Sequence, residues 1–401
     1  MPPRILELQE ESDFYIPAHE FDEEAAVMLY ERYRNKISID FPTRITKNSY
    51  VVRSSGYIGQ IPLCDRFLLV INPKVPLGNV FGMLNYALDL KLFEFLPERL
   101  TGGSISDIFE KLVSALAQRV LLRAKKGLYR DYVNERESLN FVRGRCQWVG
   151  TLRSAMRGSI RLDCEYQENT ADLEDNQILA WTLYTIPRFN LRDPAIKKTA
   201  AKAYRALSSA VSVTRVPSEA CIGRFYNRLN NDYEPMHDLC RFFLENCGPI
   251  LDKGDRTFIP FLLYMPTLFE SFVARWLESH LPTKYSMQRQ FSVRLVEGET
   301  WRFQMDIVIR DAATNKIVAV LDTKYKNVER AAENDISQVV AYAVQANTQR
   351  AFLAYPTSSV STVTIPVGGD RGVRVKMLSF NISGDLEEGG NRFLGDLLAG
   401  F

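Results

Sequence analysis

Three acidic side chains and one lysine in the last third of the sequence could together hydrolyse a phosphodiester bond. The apolar run Ile317 to Leu321 is typical of a buried strand, yet it continues into Asp322 and Lys324. Side chains alternate along a strand, so the carboxylate and the ammonium group are expected to project from the same face. Asp306 lies in a strand that a hairpin would pair with this one, and Glu270 lies upstream on an expected helix.

Carboxylates on two neighbouring strands can hold one hard divalent cation, Mg²⁺ by preference and Mn²⁺ as a substitute. Such a cation neutralises phosphate charge and lowers the pKa of a bound water, while a lysine beside it orients the water or helps to deprotonate it. The pattern Asp-x-Lys alone is a very weak motif, because a surface ion pair at the end of a strand explains it much better. The ordered set of residues around it is harder to explain in that way.

Two further residues fall on one face of an expected helix downstream. Gln338 and Tyr342 are four residues apart, a spacing that suits them to bind substrate or the lysine. Each candidate also has a plain structural explanation. Glu270 could be a solvated helix residue, Gln338 ordinary surface and Tyr342 part of the core.

Composition indicates an ordinary soluble protein of two or three domains. The chain has 401 residues, of which 46% are hydrophobic, and a formal net charge of +2. It shows no signal peptide pattern and no apolar run long enough to span a bilayer, so a cytoplasmic location without membrane association is expected. The six cysteines are dispersed and contain no CxxC pair, which favours reduced thiols.

The pattern of apolar residues predicts a multidomain α+β protein. Residues 1–102 are expected to form a β-rich N-terminal domain and residues 103–250 a mainly helical middle domain. Residues 251–401 begin with a helix from Pro266 and continue with three strands, a helix and a strand. This order predicts an α/β domain with a central mixed sheet.

Several other chemistries lack the residues that they need. The three histidines are far apart, which argues against a zinc hydrolase or a histidine-based metal nuclease. No serine or cysteine lies in a recognisable nucleophile elbow. The sequence contains no GxxxxGK[ST] loop, so this chain alone is not expected to bind a nucleotide.

The ordered set resembles a known nuclease superfamily. Glu270, MDIVIR, LDTK and QVVAY are similar to the successive elements of PD-(D/E)xK nucleases, including the Gln-x-x-x-Tyr element of the RecB-like branch. The likeness extends upstream through GYIGQIPL, INPKV, RESLNFVRGR, ENTADLEDNQILAWTL and RFYNRLNNDYEP. These blocks resemble McrC, the nuclease subunit of McrBC modification-dependent restriction systems. Met305 stands where the motif usually has proline, which weakens the match to the motif but not the chemistry.

The resemblance implies a role for each site residue and a partner protein. Asp306 and Asp322 would be metal ligands, Lys324 the catalytic lysine and Glu270 an accessory acid, with Gln338 and Tyr342 in support. It implies cleavage of double-stranded DNA, within an anti-phage restriction system, together with a McrB-like AAA+ GTPase hexamer. It also implies a restriction-endonuclease-like fold for residues 251–401 and docking of the N-terminal domain on the ring.

Contact residues are predicted in three places. The catalytic region offers four cations to a DNA backbone: Arg289, Arg294, Lys326 and Arg330. The segment whose family counterpart docks in the central pore of the ring contains Arg53, Gly56, Tyr57 and Gly59, although both glycines could serve turn geometry alone. Residues 117–161 hold eleven Arg or Lys against three acids, and this excess could contact DNA, contact the partner or face solvent.

Two other functions remain open at this point. The chain could be a non-cleaving adaptor that docks on and activates an AAA+ NTPase, with its nuclease fold kept as a scaffold. It could also be a stand-alone RecB-like nuclease. The sequence leaves open which DNA modification is targeted, whether the chain cuts without its partner, and whether it dimerises through the nuclease domain.

Overall fold

The structure is a computed structural model. It describes residues 3–64, 66–88, 103–158, 161–186, 191–247, 260–294, 302–326, 331–357, 364–367 and 372–401. The chain divides into two compact units, one formed by Met1–Ile108 together with Pro260–Phe401 and the other by Phe109–Ile259. None of the helices within the described ranges is long and apolar enough to cross a membrane.

The N-terminal part of the first unit contains two small sheets and two helices. Its elements are β1 (Arg4–Gln9), β2 (Asp13–Pro17), α1 (Glu23–Tyr33), β3 (Ile37–Asp40), β4 (Ser49–Ser54), β5 (Tyr57–Leu63), β6 (Phe67–Asn72) and α2 (Leu77–Ala87). Strands β2, β4 and β3 form an antiparallel sheet, and β1 pairs with β6, which pairs with β5. Alternate residues such as Leu6, Leu8, Leu69 and Ile71 are buried in a shared core, as the period of a strand requires. The expected β-rich character of this region is present.

The second unit combines helices with a sheet that the apolar pattern did not predict. Its elements are α3 (Ile105–Lys126, which begins in the first unit), β7 (Asp131–Leu139), β8 (Arg145–Cys146), α4 (Trp148–Met156), β9 (Leu162–Thr170), α5 (Glu174–Thr185), α6 (Pro194–Ser208) and α7 (Glu234–Asn246). Strands β7, β9 and β8 pair antiparallel. Most residues of β7 are exposed, so the strand shows no alternation between apolar and polar positions.

The C-terminal part of the first unit is built on a six-stranded mixed sheet. Its elements are β10 (Phe261–Tyr264), α8 (Met265–His280), β11 (Tyr285–Arg294), β12 (Arg302–Asp311), β13 (Ile317–Thr323), α9 (Glu333–Gln345), β14 (Arg350–Tyr355), β15 (Thr364–Val367), β16 (Val373–Ser379) and α10 (Leu386–Leu398). The strand order is β11-β12-β13-β14-β16-β15. The β13–β14 and β14–β16 pairs are parallel and the others antiparallel, so the expected mixed sheet is confirmed.

Strand β10 ties the two parts of the first unit together. It pairs antiparallel with β5, which completes the four-stranded sheet β1-β6-β5-β10. The next residue, Met265, starts α8 and donates its backbone N–H to the carbonyl of Gly56 at 2.9 Å. The expected domain boundaries remain predictions, because residues 89–102 and 248–259 lie outside the described ranges.

Candidate active site

The hairpin of β12 and β13 brings the two aspartates side by side. Its antiparallel register pairs Ile307 with Leu321, so one residue further along Asp306 stands opposite Asp322. Asp306 Oδ2 accepts hydrogen bonds from the backbone N–H and the hydroxyl of Thr323, both at 2.8 Å. These two bonds hold the Asp306 carboxylate against the end of β13.

Asp322 is a buried acid with a lysine beside it. Only 1% of its surface is exposed, because β13 lies between β12 and β14. Its Oδ2 is 2.7 Å from Lys324 Nζ, but the angles do not meet hydrogen-bond geometry, so this buried oxygen lacks a directed donor. Burial, followed by the charge of Asp306, raises the pKa of Asp322 to about 6, and Lys324 only partly opposes this rise.

Lys324 stays charged although it is half-buried. Burial alone lowers its pKa, but the ion pair with Asp322 and the charges of Asp306 and Asp335 outweigh burial, so the pKa is raised. A lysine with a raised pKa is a poor base at neutral pH. In this arrangement its chemistry is that of a cation and hydrogen-bond donor.

Helix α8 supplies the third acid. Pro266 lies in its first turn, where its missing N–H is tolerated, and the expected apolar face is buried. Glu270 projects from this helix, and Gln290 Nε2 on β11 donates to its Oε1 at 3.5 Å. Burial, then the charge of Asp306, raises the pKa of Glu270 to about 7. The charge of Asp306 therefore raises the pKa of both Glu270 and Asp322, so the three acids interact electrostatically.

The donor set suits a hard divalent cation, but its members are not gathered around one point. Among the described residues no three His, Cys, Asp or Glu side chains lie close enough to hold a metal ion together. The carboxylates of Asp306 and Asp322 are turned toward Thr323 and Lys324. The oxygen without a directed donor on Asp322, and the raised pKa of two of the acids, fit a cation that would relieve the repulsion between the carboxylates.

Helix α9 holds the lysine in place. Lys324 Nζ donates to Gln338 Oε1 at 3.0 Å, and Gln338 Nε2 donates to the hydroxyl of Tyr342 at 2.7 Å. The ring of Tyr342 packs edge-on against Phe303, with centroids 5.4 Å apart. The spacing of four residues thus produces a chain of contacts that ends on the lysine.

The residues expected to contact DNA are only partly described. Arg289 is exposed on β11. Lys326 lies just beyond β13, and its Nζ is 2.9 Å from the buried Asp335. This ion pair partly neutralises the charge that Lys326 would offer to DNA. The side chain of Arg294 and the whole of Arg330 lie outside the described residues. A DNA-binding role for these residues stays a prediction.

The N-terminal segment expected to contact a partner has an internal role in the structure. Gly59 has a φ of +139°, and a Cβ atom there would lie 2.0 Å from the carbonyl oxygen of Phe261 on β10. Gly56 also has a positive φ, of +74°. Tyr57 packs against Tyr264 with ring centroids 4.6 Å apart, and Arg53 forms an ion pair with Asp13. The glycines are explained by backbone geometry, while partner binding by these four residues stays a prediction.

Helix α4 carries an exposed apolar surface that sequence reasoning missed. None of its residues is buried, and the exposed fractions are 67% for Trp148, 66% for Val149, 59% for Leu152 and 87% for Met156. Trp148, Leu152 and Met156 are spaced by four, so they lie along one face. That spacing was visible in the sequence, within the basic segment 117–161. We call these four residues the α4 surface.

Fewer cations of the basic segment 117–161 are available to contact a partner or DNA than its composition suggests. At least four of its arginines contact acidic or amide side chains within the described part of the second unit: Arg123 with Asp232, Arg130 with Asn169, Arg136 with Asp163 and Arg143 with Glu168. Arg153 and Arg157, by contrast, are exposed at the end of α4. An apolar surface with cations at one end favours a contact with another macromolecule over a purely solvated face.

A family model and a curated relative both relate this chain to McrBC restriction systems. Residues 52–356 match the model of a family described as McrBC 5-methylcytosine restriction system component. The type IV methyl-directed restriction enzyme EcoKMcrBC of Escherichia coli (strain K12) is 24% identical over 274 residues, which are 63% of this chain and 74% of that protein.

A solved structure extends the likeness to almost the whole fold. It is the refined half-complex from the tetradecameric assembly of Thermococcus gammatolerans McrB AAA+ hexamers with bound McrC. A chain in it matches with a TM-score of 0.57 and 15% identity, over 99% of this chain and 100% of that one. At this identity the match establishes a shared fold.

Proposed function

The chain belongs to the family of McrBC 5-methylcytosine restriction system components, and from this premise we propose that it is the metal-dependent DNA endonuclease subunit of such a system. It would cut phosphodiester bonds when assembled with a McrB-like AAA+ GTPase hexamer and would stimulate that partner. The observation that carries the proposal is the meeting of Asp306, Asp322 and Lys324 at one end of the β12–β13 hairpin, with Glu270 on α8 near enough for the charges of Asp306 and Asp322 to raise its pKa.

The acids of this site would hold Mg²⁺, with Mn²⁺ as a substitute. Asp306 and Asp322 would be ligands, and Glu270 would complete the set from α8. The cation would neutralise phosphate charge and lower the pKa of a bound water. All protein donors would be carboxylate oxygens, which is the ligand chemistry that hard divalent cations prefer.

Lys324 would act on the phosphate rather than as a base. Its raised pKa keeps the ammonium charged, so it can donate to a phosphate oxygen and stabilise the negative charge that develops in the transition state. Gln338 accepts a hydrogen bond from Lys324 Nζ and is itself fixed by Tyr342, so the ammonium has a defined position before substrate arrives. This arrangement fits the PD-(D/E)xK type of phosphodiester hydrolysis.

Two surfaces are candidates for contact with the AAA+ ring. The first is the N-terminal segment with Arg53 and Tyr57, which remain exposed or half-exposed. The second is the α4 surface, whose large apolar side chains are typical of protein interfaces when they lie together. The related McrC is bound to McrB AAA+ hexamers, which supports the same kind of partner here.

The test is cleavage of a plasmid containing 5-methylcytosine, compared with the unmethylated plasmid, in Mg²⁺ and GTP. The chain is assayed with and without its cognate AAA+ GTPase, as wild type and as Asp322→Ala and Lys324→Ala. We expect cleavage only with both proteins present, and loss of cleavage in both variants while stimulation of GTP hydrolysis persists.

Two other results would overturn the proposal in different ways. Cleavage by the wild-type chain alone would make it a stand-alone nuclease. If no substrate is cut, while the wild type and both variants raise the GTPase rate equally, the chain is an adaptor and the acids and lysine are structural.

A further inference from the structure

Tyr325, the residue that follows the candidate catalytic lysine, is anchored by the N-terminal part of the chain. Its side chain is 5% exposed, and its hydroxyl donates to Glu10 Oε1 at 2.8 Å. The two residues are 315 positions apart in the sequence and belong to the same unit.

Glu10 is itself fixed in place. It is 3% exposed, follows β1 directly, and its Oε1 also accepts the backbone N–H of Lys74 at 2.9 Å. Lys74 lies beyond β6, its Nζ is 4.3 Å from the centroid of the Tyr325 ring, and it forms an ion pair with Glu11 at 2.7 Å. The sheet of β1 and β6 therefore holds Tyr325 through a hydrogen bond and a cation–π contact.

Tyr325 also touches the elements that carry the acids. Its ring lies against Phe269, with centroids 6.0 Å apart, and Phe269 is the neighbour of Glu270 on α8. On the other side, β13 ends at Thr323, and the backbone N–H of Lys324 donates to the carbonyl of Ala354 at 2.9 Å. Beyond that bond the chain leaves the strand, and Tyr325, the residue next to Lys324, is held by Glu10 and Phe269.

We propose that Glu10 and Tyr325 are positioning residues for Lys324 and Glu270, through which the N-terminal sheet sets the geometry of the nuclease site. The proposal rests on the proposed function, because it assigns these residues to the same reaction. Neither side chain reaches the reacting atoms. Their contribution is to keep the lysine and the third acid in register with Asp306 and Asp322, and a small misplacement of such groups costs one to two orders of magnitude in rate.

The first test separates positioning from stability by kinetics. Tyr325→Phe removes only the hydroxyl and keeps the ring against Phe269 and Lys74. Glu10→Gln keeps an oxygen that can accept both hydrogen bonds, whereas Glu10→Ala removes it. Tyr233→Phe is the control, because Tyr233 is a fully buried tyrosine of the second unit whose hydroxyl accepts from the backbone N–H of Tyr129 and donates to Asn176.

With saturating partner and GTP, we expect the single-turnover cleavage rate to fall about tenfold in Tyr325→Phe and Glu10→Ala, without a change in half-saturating DNA concentration. Glu10→Gln should restore the rate to within about threefold of wild type. Tyr233→Phe should lose a similar amount of thermal stability but keep its rate. If Tyr325→Phe behaves like Tyr233→Phe, the positioning role is wrong while the nuclease function stands.

The second test does not depend on cleavage. Amide hydrogen exchange is measured on the peptide that contains Lys324 in the isolated, folded chain. We expect exchange of this peptide to become at least tenfold faster in Tyr325→Phe and Glu10→Ala, and to be unchanged in Tyr233→Phe. Unchanged exchange in all variants overturns the proposal. If exchange accelerates as expected but the wild type cuts no DNA, the positioning holds and only the nuclease function fails.

Discussion

Lys324 Nζ lies 2.7 Å from Asp322 Oδ2, two residues earlier in the chain, and 3.0 Å from Gln338 Oε1. A cation bound at Asp322 would compete with the lysine for the same oxygen. Because Gln338 offers the ammonium a second partner, Lys324 can release Asp322 and still remain beside it. Under the proposed function, Asp322 would be the metal ligand and Lys324 would donate a hydrogen bond to the phosphate, without both groups occupying one position.

The sharpest expectation concerns this pair. Asp322→Asn and Lys324→Met each remove one charge with little change in volume, and we expect cleavage of methylated DNA to fall at least about 100-fold in either variant. Stimulation of the GTPase should persist. Lys316→Met, an exposed lysine in the turn of the same hairpin, is the control and should cut normally. Retention of more than a tenth of the activity in Lys324→Met would show that the lysine is not catalytic.

Divalent cation and pH should act on stability together. The pKa values of Glu270 and Asp322 are raised to about 7 and about 6, because the folded protein favours their protonated forms. In EDTA, their contribution to the free energy of unfolding is therefore most favourable below pH 4 and is lost as pH rises through these pKa values. If the site holds Mg²⁺ as proposed, the cation would bind the ionised acids, so its stabilising effect should grow from pH 6 to pH 8.

Thermal unfolding with and without Mg²⁺ measures this effect. Asp322→Asn should abolish the response to Mg²⁺, and Glu270→Gln should flatten the decline of stability with pH in EDTA. A shift in melting temperature that is equal at pH 6 and pH 8, or equal in wild type and Asp322→Asn, would mean that the cation binds elsewhere.

The α4 surface should be a partner contact. Leu152→Asp, alone and with Trp148→Ser, places polar groups at exposed positions of α4. The free energy of unfolding should therefore change by less than about 0.5 kcal/mol. We expect the affinity for the AAA+ GTPase to fall at least about tenfold, measured by interferometry with GTP present. Phe225→Asp, at a position 83% exposed in the second unit and outside both candidate contacts, is the control. Equal affinities for all variants would leave the N-terminal segment as the candidate interface.

A substitution at Gly59 tests how closely the backbones of β5 and β10 must approach. Gly59→Ala places a methyl group against the carbonyl of Phe261 at a backbone φ of +139°, so we expect a loss of about 2–4 kcal/mol in unfolding free energy. Gly395→Ala on α10 has open space and should be neutral or stabilising by up to about 1 kcal/mol. Urea unfolding monitors both. Unchanged stability in Gly59→Ala, with weaker partner binding, would favour a docking role for this glycine.

His237 should make the second unit sensitive to acid. It is fully buried, with its ring nitrogens bonded to Tyr226 and to the carbonyl of Asp175, and burial lowers its pKa to about 4. The folded protein favours the neutral ring. The contribution of His237 to the free energy of unfolding is therefore fully present above pH 6.5 and is lost as pH falls toward 4. The full loss is about 3 kcal/mol. Urea unfolding of wild type and His237→Gln at pH 7.5 and 4.5 checks this, and identical pH dependence in the two proteins would refute it.

Local sequence patterns predicted the elements that carry the site. The alternation of apolar and polar residues predicted β12 and β13 as paired strands. The apolar face of α8 and the spacing of Gln338 and Tyr342 predicted helices α8 and α9. The roles of the site residues stay predictions that these elements make geometrically possible. The reason for this success is that each signal is local, with a period of two in a strand or about four in a helix.

The features that the sequence did not reveal depend on distant partners or lack a pattern. The contact between Glu10 and Tyr325 joins residues 315 apart, and no local signal announces it. Strand β7 is exposed on most of its length, so it shows no alternation to detect. Gly59 was readable as a turn glycine, but the backbone of β10 that requires it is about two hundred residues away.

That distance between β5 and β10 also sets an order of events during protein synthesis. A ribosome making this chain completes β1, β5 and β6 early, then translates the whole of the second unit before it reaches Phe261–Tyr264. The sheet therefore lacks its last strand until about two thirds of the chain has been made, and α8 and the β12–β13 hairpin are made after it. The unit that holds the candidate nuclease site is the first to begin folding and the last to finish.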